Sequence, residues 1–141
     1  MARNSSAPLG IAVASLTAGP VFAASTSAAS LYLRLPCPIV VGPSELMLVA
    51  PVAALSIIVG CVLAVLPNLV GTILLAGLGD RYPEARLPEF WAITGAAIGI
   101  GIAAATGAFQ SPPLAFGLVA TSAACAWICR RPIVWDDGAE A

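Results

Sequence analysis

The stretch Ile93–Gly107, ITGAAIGIGIAAATG, contains no charged side chain and no amide, and most of its positions are Gly or Ala. Extended back to Glu89 and on to Phe109, it makes the run of about 20 mostly apolar residues that a helix needs to cross a bilayer. The rest of the chain agrees with that reading. Of its 141 residues 60% are hydrophobic and 9% are charged, where a soluble domain carries about 25% charged residues. With a mean hydropathy of +0.98, the apolar content exceeds what a water-facing surface tolerates. The chain therefore reads as an all-α integral membrane protein.

Four segments fit this description, at about residues 9–33, 46–78, 89–109 and 113–129, followed by a tail over 130–141. They form one membrane domain spanning residues 1–141, a four-helix transmembrane bundle. Pro88 and Glu89 open the third segment, with the carboxylate near the positive helix end, and Ser111 with Pro112 gives the fourth a cap and an N1 proline. So short a connection makes the third and fourth helices antiparallel neighbours. The second segment is too long for one straight crossing of a hydrocarbon core of about 30 Å. Pro51 and Pro67 each remove a backbone donor and crowd the preceding turn. The spacing predicts a membrane helix from Pro51 to Leu78 kinked at Pro67, after an interfacial turn PSELMLVA capped by Ser44. A re-entrant hairpin at Leu66-Pro67-Asn68 is the rival, and it leaves a second arm of only about a dozen residues.

The first segment has two readings. Arg3, the apolar run Leu9–Phe22 and the small residues Ala23 and Ala24 resemble a secretory signal with its cleavage site. Apolar character resumes at Leu31-Tyr32-Leu33, beyond that site, and this favours a retained membrane helix. With four crossings from an inside N-terminus, Arg3, Arg81, Arg86, Arg130 and Arg131 lie inside and Arg34 outside, the positive-inside pattern of an N-in/C-in protein. Tyr32, Tyr82, Phe90, Trp91, Phe109, Phe116 and Trp127 fall near helix ends, at headgroup level. The loop GDRYPEARLPE reads as a solvated cytoplasmic connector. The lysine-free, Ala- and Gly-rich composition suits a bacterial genome of high GC content, and hence the bacterial inner membrane.

Small residues have a specific use in lipid. Acyl chains are as apolar as leucine, so helices associate through close packing and interhelical hydrogen bonds. Gly95, Gly99, Ala103 and Gly107 recur every four positions and predict a packing groove along the third helix. Ser15, Gly19, Ala23 and Ser27 repeat the spacing on the first helix, Gly117, Thr121, Cys125 and Cys129 on the fourth, and Gly60 and Ala64 on the second. Packing within the chain's own bundle is favoured over homodimerisation. Asn68, the amide expected at depth, is assigned to the same packing interface, bonding across to another helix or to a carbonyl freed by Pro67. Its functional alternative is a ligand position beside a broken helix.

Several chemistries are excluded. The chain has no histidine, which removes imidazole ligation of haem or zinc and Ser-His-Asp catalysis. The four cysteines include no CxxC pair, and Cys125 and Cys129 read as small apolar residues. Cys37, between Pro36 and Pro38, reads as a free thiol. No carboxylate or basic group is expected at depth, which disfavours ion-coupled transport. A net charge of −1 offers no basic face for nucleic acid. In the tail, Ile133, Val134 and Trp135 form an apolar knot that can hold a partner or the headgroup layer.

The sequence thus points to a non-catalytic accessory or scaffold subunit, packed against larger membrane proteins in an oligomer or hetero-complex, such as a respiratory or photosynthetic one. No catalytic, metal-binding or cofactor-binding residues are expected, although its grooves can accommodate lipid, quinone tails or pigments without ligation. A small oligomeric channel or transporter for neutral solutes, or a lipid-handling protein, is the alternative.

Overall fold

The computed structural model describes residues 2–3, 7–34 and 42–135. Cys37 and the acidic end of the tail lie outside these, as do the side chains of Ser44, Val134 and Trp135. Four helices carry the fold: α1 (Ala7–Arg34), α2 (Pro43–Arg81), α3 (Pro88–Ala105) and α4 (Pro112–Arg130). Three of them contain spans long and apolar enough to cross a membrane: Pro8–Leu33, Pro88–Ala105 and Pro112–Arg130. The pair Ala53–Val62 and Ala64–Arg81, bent by 47° to each other, makes a fourth if taken as one broken span. The chain is thus a small all-α membrane protein with three to four candidate spanning helices.

Local chemistry accounts for the boundaries. Pro88 and Pro112 occupy the first positions of α3 and α4, where a missing N–H costs nothing and φ is already helical. Thr106 follows the last residue of α3, and then Gly107 turns the chain with φ +70°, a left-handed conformation that a side chain disfavours. The third helix therefore ends at Ala105, short of the expected 109, and Gly107 is exposed in the turn rather than part of the packing stripe. The segment from Pro43 continues into α2 without a separate interfacial turn, giving a helix of 39 residues, about 58 Å of rise. Its bend falls at residue 63.

The helices pack in the spatial order α3–α4–α1–α2, each against its neighbour, with only light contact between α2 and α4. Glycines set the distances. A Cβ on Gly99 would stand 2.8 Å from Val119 Cα, and one on Gly95 2.7 Å from Ala126 Cβ and closer still to the Ser122 carbonyl. Ala103 is fully buried on the same stripe. At the α1–α2 crossing Gly19 lies on Ser56 and Gly60, and at the α1–α4 contact Gly117 lies on Phe22 and Thr26. No Cβ fits at any of these points without moving backbone or side chains. The pairings run in opposite chain directions, so α3 and α1 are both antiparallel to α4.

Two short strands from early and late in the chain meet at one end of the bundle. Ala2–Arg3 (β1) pairs antiparallel with Val134–Trp135 (β2), in the register Ala2 to Trp135 and Arg3 to Val134. Ile133 is 5% exposed and belongs to the chain's own core with Ala14, Ala18, Trp91, Cys125 and Cys129. In the described residues, then, the tail is folded back onto the bundle: Ile133 is internal, and the backbone of Val134 and Trp135 is paired. The α2–α3 connector is likewise structured. It forms a 3₁₀ turn over Pro83–Arg86 with Ala85 buried. Arg86 Nε donates to the Gly79 carbonyl at 2.9 Å, while Arg130 donates through Nε to the Arg86 carbonyl and through a terminal nitrogen to the Ile133 carbonyl at 2.9 Å. These guanidinium donors satisfy carbonyls at the helix ends that have no partner within their own helix.

If backbone proximity holds α3 to α4, Gly99→Leu lowers the thermal midpoint in detergent, at a cost of about 2 kcal/mol or more. Gly101→Leu, where an added Cβ meets nothing within 4 Å, leaves the midpoint close to wild type.

Candidate functional site

Although Leu75 and Trp91 belong to one core cluster, α2 and α3 have little backbone contact in this spatial order. Between them opens a cleft of about 130 Å³, floored by Ser122, Cys125 and Ala126 of α4 and walled by Asn68, Thr72 and Leu75 of α2 and by Trp91 and Gly95 of α3. A larger, almost wholly apolar groove of about 530 Å³ lies between α1, α2 and α4, bordered by Phe22, Leu55 and Val59. Ala18, Ala64, Thr121 and Ser122 line both spaces. A bent α2 that crosses α1 closely at Gly60 and then diverges from α3 produces this shape.

Polar atoms are concentrated at the narrow end. The Asn68 amide donates to Ser15 Oγ at 3.3 Å, linking α2 to α1. The Cys125 and Cys129 thiols point the other way, to the α1 carbonyls of Ala14 at 3.5 Å and Gly10 at 3.9 Å. One turn apart on α4, the two thiols face two carbonyls one turn apart on α1, a register-setting pair of weak S–H donors. Trp91, with no exposed surface, donates its indole N–H to the Ala85 carbonyl at 2.8 Å. It stands in the first turn of α3, at one end of the cleft.

Thr72 behaves unlike the other hydroxyls. In lipid a hydroxyl ordinarily bonds the carbonyl one turn back along its own helix. Thr17, Ser25, Thr94, Thr106 and Thr121 do this, at 2.7 to 2.9 Å. Thr72 is 4% exposed, lines the cleft, and has no hydrogen-bond partner among the described residues. The Cys129 thiol lies within side-chain hydrogen-bonding reach of it, as the Cys125 thiol does of Asn68. Thr26 Oγ1 is also unsatisfied, yet it abuts Gly117 at a close helix contact and borders neither space.

Of the residues singled out in the sequence, Gly95, Gly99 and Ala103 lie together in the α3–α4 contact, Asn68 stands at the α1–α2 edge of the cleft, and Gly107 and Ile133 lie apart from it. Thr72, Trp91 and Ser122 were not singled out. The spacing Asn68-x-x-x-Thr72 puts two polar side chains on one helix face, and that is the signal available for Thr72. Nothing in the sequence separates Trp91 from an interfacial aromatic. Among the described residues no cluster of three or more His, Cys, Asp or Glu is placed to hold a metal ion.

Compared with protein-family models, curated proteins and solved structures, the chain matches none.

The Asn68–Ser15 bond ties α2 to α1 inside the membrane. A double-mutant cycle of Asn68→Leu and Ser15→Ala, read by unfolding in mixed micelles, is expected to give a coupling of about 0.6 to 1 kcal/mol. A coupling near zero would mean that the pair does not hold the helices in register.

Proposed function

We propose that this protein is a non-catalytic integral membrane subunit that packs against other membrane proteins and supports their assembly. The observation that carries this reading is the division between its glycines. Gly19, Gly60, Gly95, Gly99 and Gly117 are consumed by contacts inside the bundle, whereas a Cβ on Gly77 of α2 or Gly101 of α3 would meet nothing within 4 Å. A small residue on a lipid-facing helix surface gains nothing from acyl chains, but it permits a second helix to come close. Around these positions stand the exposed apolar side chains Ile73, Leu74 and Leu78 on α2 and Ile98 and Ile102 on α3. That texture of small hollows flanked by branched ridges suits helix packing.

The same reading includes an N-in/C-in orientation in a bacterial inner membrane, with a respiratory or photosynthetic assembly as the setting. The arginine distribution supports the orientation, and the pairing of β1 with β2 is compatible with it, because joined termini require an even number of crossings. The chain's contribution is structural: it presents surfaces and supplies no reactive group of its own.

Extraction in a mild detergent is expected to give a complex in which this chain has a stoichiometric membrane companion. Gly77→Leu and Gly101→Leu should release that companion while leaving the melting midpoint of the isolated chain unchanged. Migration of the wild-type chain alone, or a companion retained equally by both variants, counts against the proposal.

A further inference from the structure

The last turn of α4 carries a stacked pair that packing does not use, and we propose that Arg131 and Trp127 together bind the head of an anionic phospholipid, the guanidinium taking the phosphate and the indole N–H an ester carbonyl beneath it. The apolar span of α4 runs over Pro112–Arg130, so Arg131 is the first residue past it. Its backbone keeps helical angles, and its N–H bonds the Ile128 carbonyl at 3.2 Å. The side chain therefore falls one turn beyond Trp127, and its guanidinium carbon lies 3.8 Å from the centroid of the Trp127 ring. Both side chains are exposed.

What Arg131 does with its charge sets it apart from its neighbours. Arg86 and Arg130 donate to carbonyls of the chain, closing the connector and the tail. Arg131 gives its face to the indole and, among the described residues, makes no hydrogen bond or ion pair through its side chain. A guanidinium stacked by its face keeps its N–H donors at the edge, in the fork that matches a phosphate, and the stack holds that fork in place before a lipid arrives. Spacing along the helix is the second ground. From Trp127 to Arg131 the helix rises about 6 Å, and the polar layer on each side of a hydrocarbon core is about 5 to 8 Å deep. An indole at the inner boundary of that layer puts the guanidinium among the phosphates. The Trp127 N–H, unlike that of Trp91, has no hydrogen bond among the described residues, and an interfacial indole keeps its polar edge for such an acceptor. Charge is the third ground. A zwitterionic head offers the same phosphate but brings its own cation towards the guanidinium, so the pair favours a head of net negative charge. Asp136 and Asp137, close behind in the sequence, are the competing anions.

The test uses the full chain, purified alone and reconstituted in bilayers, so its result does not depend on any companion subunit. With Trp135→Phe in place, the Trp127 signal is the fluorescence that Trp127→Phe removes, the other indole, Trp91, being fully buried. Phosphatidylglycerol and phosphatidylcholine are mixed in varied ratio, with bromine on the acyl chains of one lipid and then of the other, and quenching reports which lipid lies against Trp127. The unsubstituted site is expected to favour phosphatidylglycerol about fivefold, the scale of one arginine at an anionic surface. Arg131→Gln should bring the ratio near one with an unchanged melting midpoint, because the side chain is exposed. Arg81→Gln, exposed at the same end of the bundle but outside the stack, should leave the ratio as it was. Equal quenching by the two lipids would overturn the proposal, as would an equal loss of preference in Arg131→Gln and Arg81→Gln, which is the mark of diffuse surface charge. A preference that emerges only with Asp136→Asn and Asp137→Asn would overturn it too, by showing that the tail itself fills the site.

Discussion

In a hydrocarbon solvent, a helix gains nothing by hiding leucine, and the bundle depends on how near one backbone can come to another. The contacts along α4 express that constraint. On one side Gly95 and Gly99 of α3 lie against the carbonyls and α-carbons of Leu118, Val119 and Ser122; on the other, Gly117 lies against Phe22 and Thr26 of α1. Helix α4 is thus held between two others at distances set by missing side chains. The α1–α2 crossing repeats the device with Gly19 against Gly60 and Ser56. At Gly19, Gly60, Gly95 and Gly99 what stands opposite is mostly backbone, so an added side chain there moves a helix, whereas at Gly117 it meets the side chains of Phe22 and Thr26.

Polar groups obey a second rule that follows from the same solvent: a hydroxyl, thiol or amide at depth must find its partner inside the protein. Most do so locally, by bonding the carbonyl one turn earlier. The exceptions carry information about tertiary structure. Asn68 reaches Ser15 and the two thiols reach α1 carbonyls, so the polar atoms that leave their own helix are the ones that fix how α1, α2 and α4 are registered. Thr72 sits in that same layer, beside the Cys129 thiol.

The sequence made the membrane class and the helix boundaries at prolines legible, because both follow from local chemistry: apolar runs of spanning length, and rings that fix φ at a first helical turn. The every-fourth spacing of Gly95, Gly99 and Ala103 was legible for the same reason, since it depends only on helical geometry. Gly107 looked like a fourth member, but periodicity carries no information about where a helix stops, and its left-handed conformation ends α3 instead. The tail misled in a related way. Ile133 is apolar and lies after a helix-ending proline, which reads as an exposed knot until the pairing of β1 with β2, a contact between opposite ends of the chain, brings it inside. Thr72 and Trp91 were illegible because burial and an unmet hydrogen bond are properties of the assembled bundle.

These elements bear on one another through α2. Had α2 stayed straight, its crossing of α1 at Gly60 could continue into contact with α3, and the four helices would close into an ordinary bundle with its small residues all inward. The second half, Ala64–Arg81, instead lies at 47° to the first; Asn68 still touches α1, Thr72 is buried, and Gly71 has open space where a Cβ would be. Closure is thus prevented at one seam, and the interior of that seam is where polar atoms and a buried indole collect. Selection for packing alone offers no reason to place a threonine there, since valine has the same shape, fits the same helix face and avoids the cost of an unmet hydroxyl. The polar neighbour the described structure gives that hydroxyl is the Cys129 thiol.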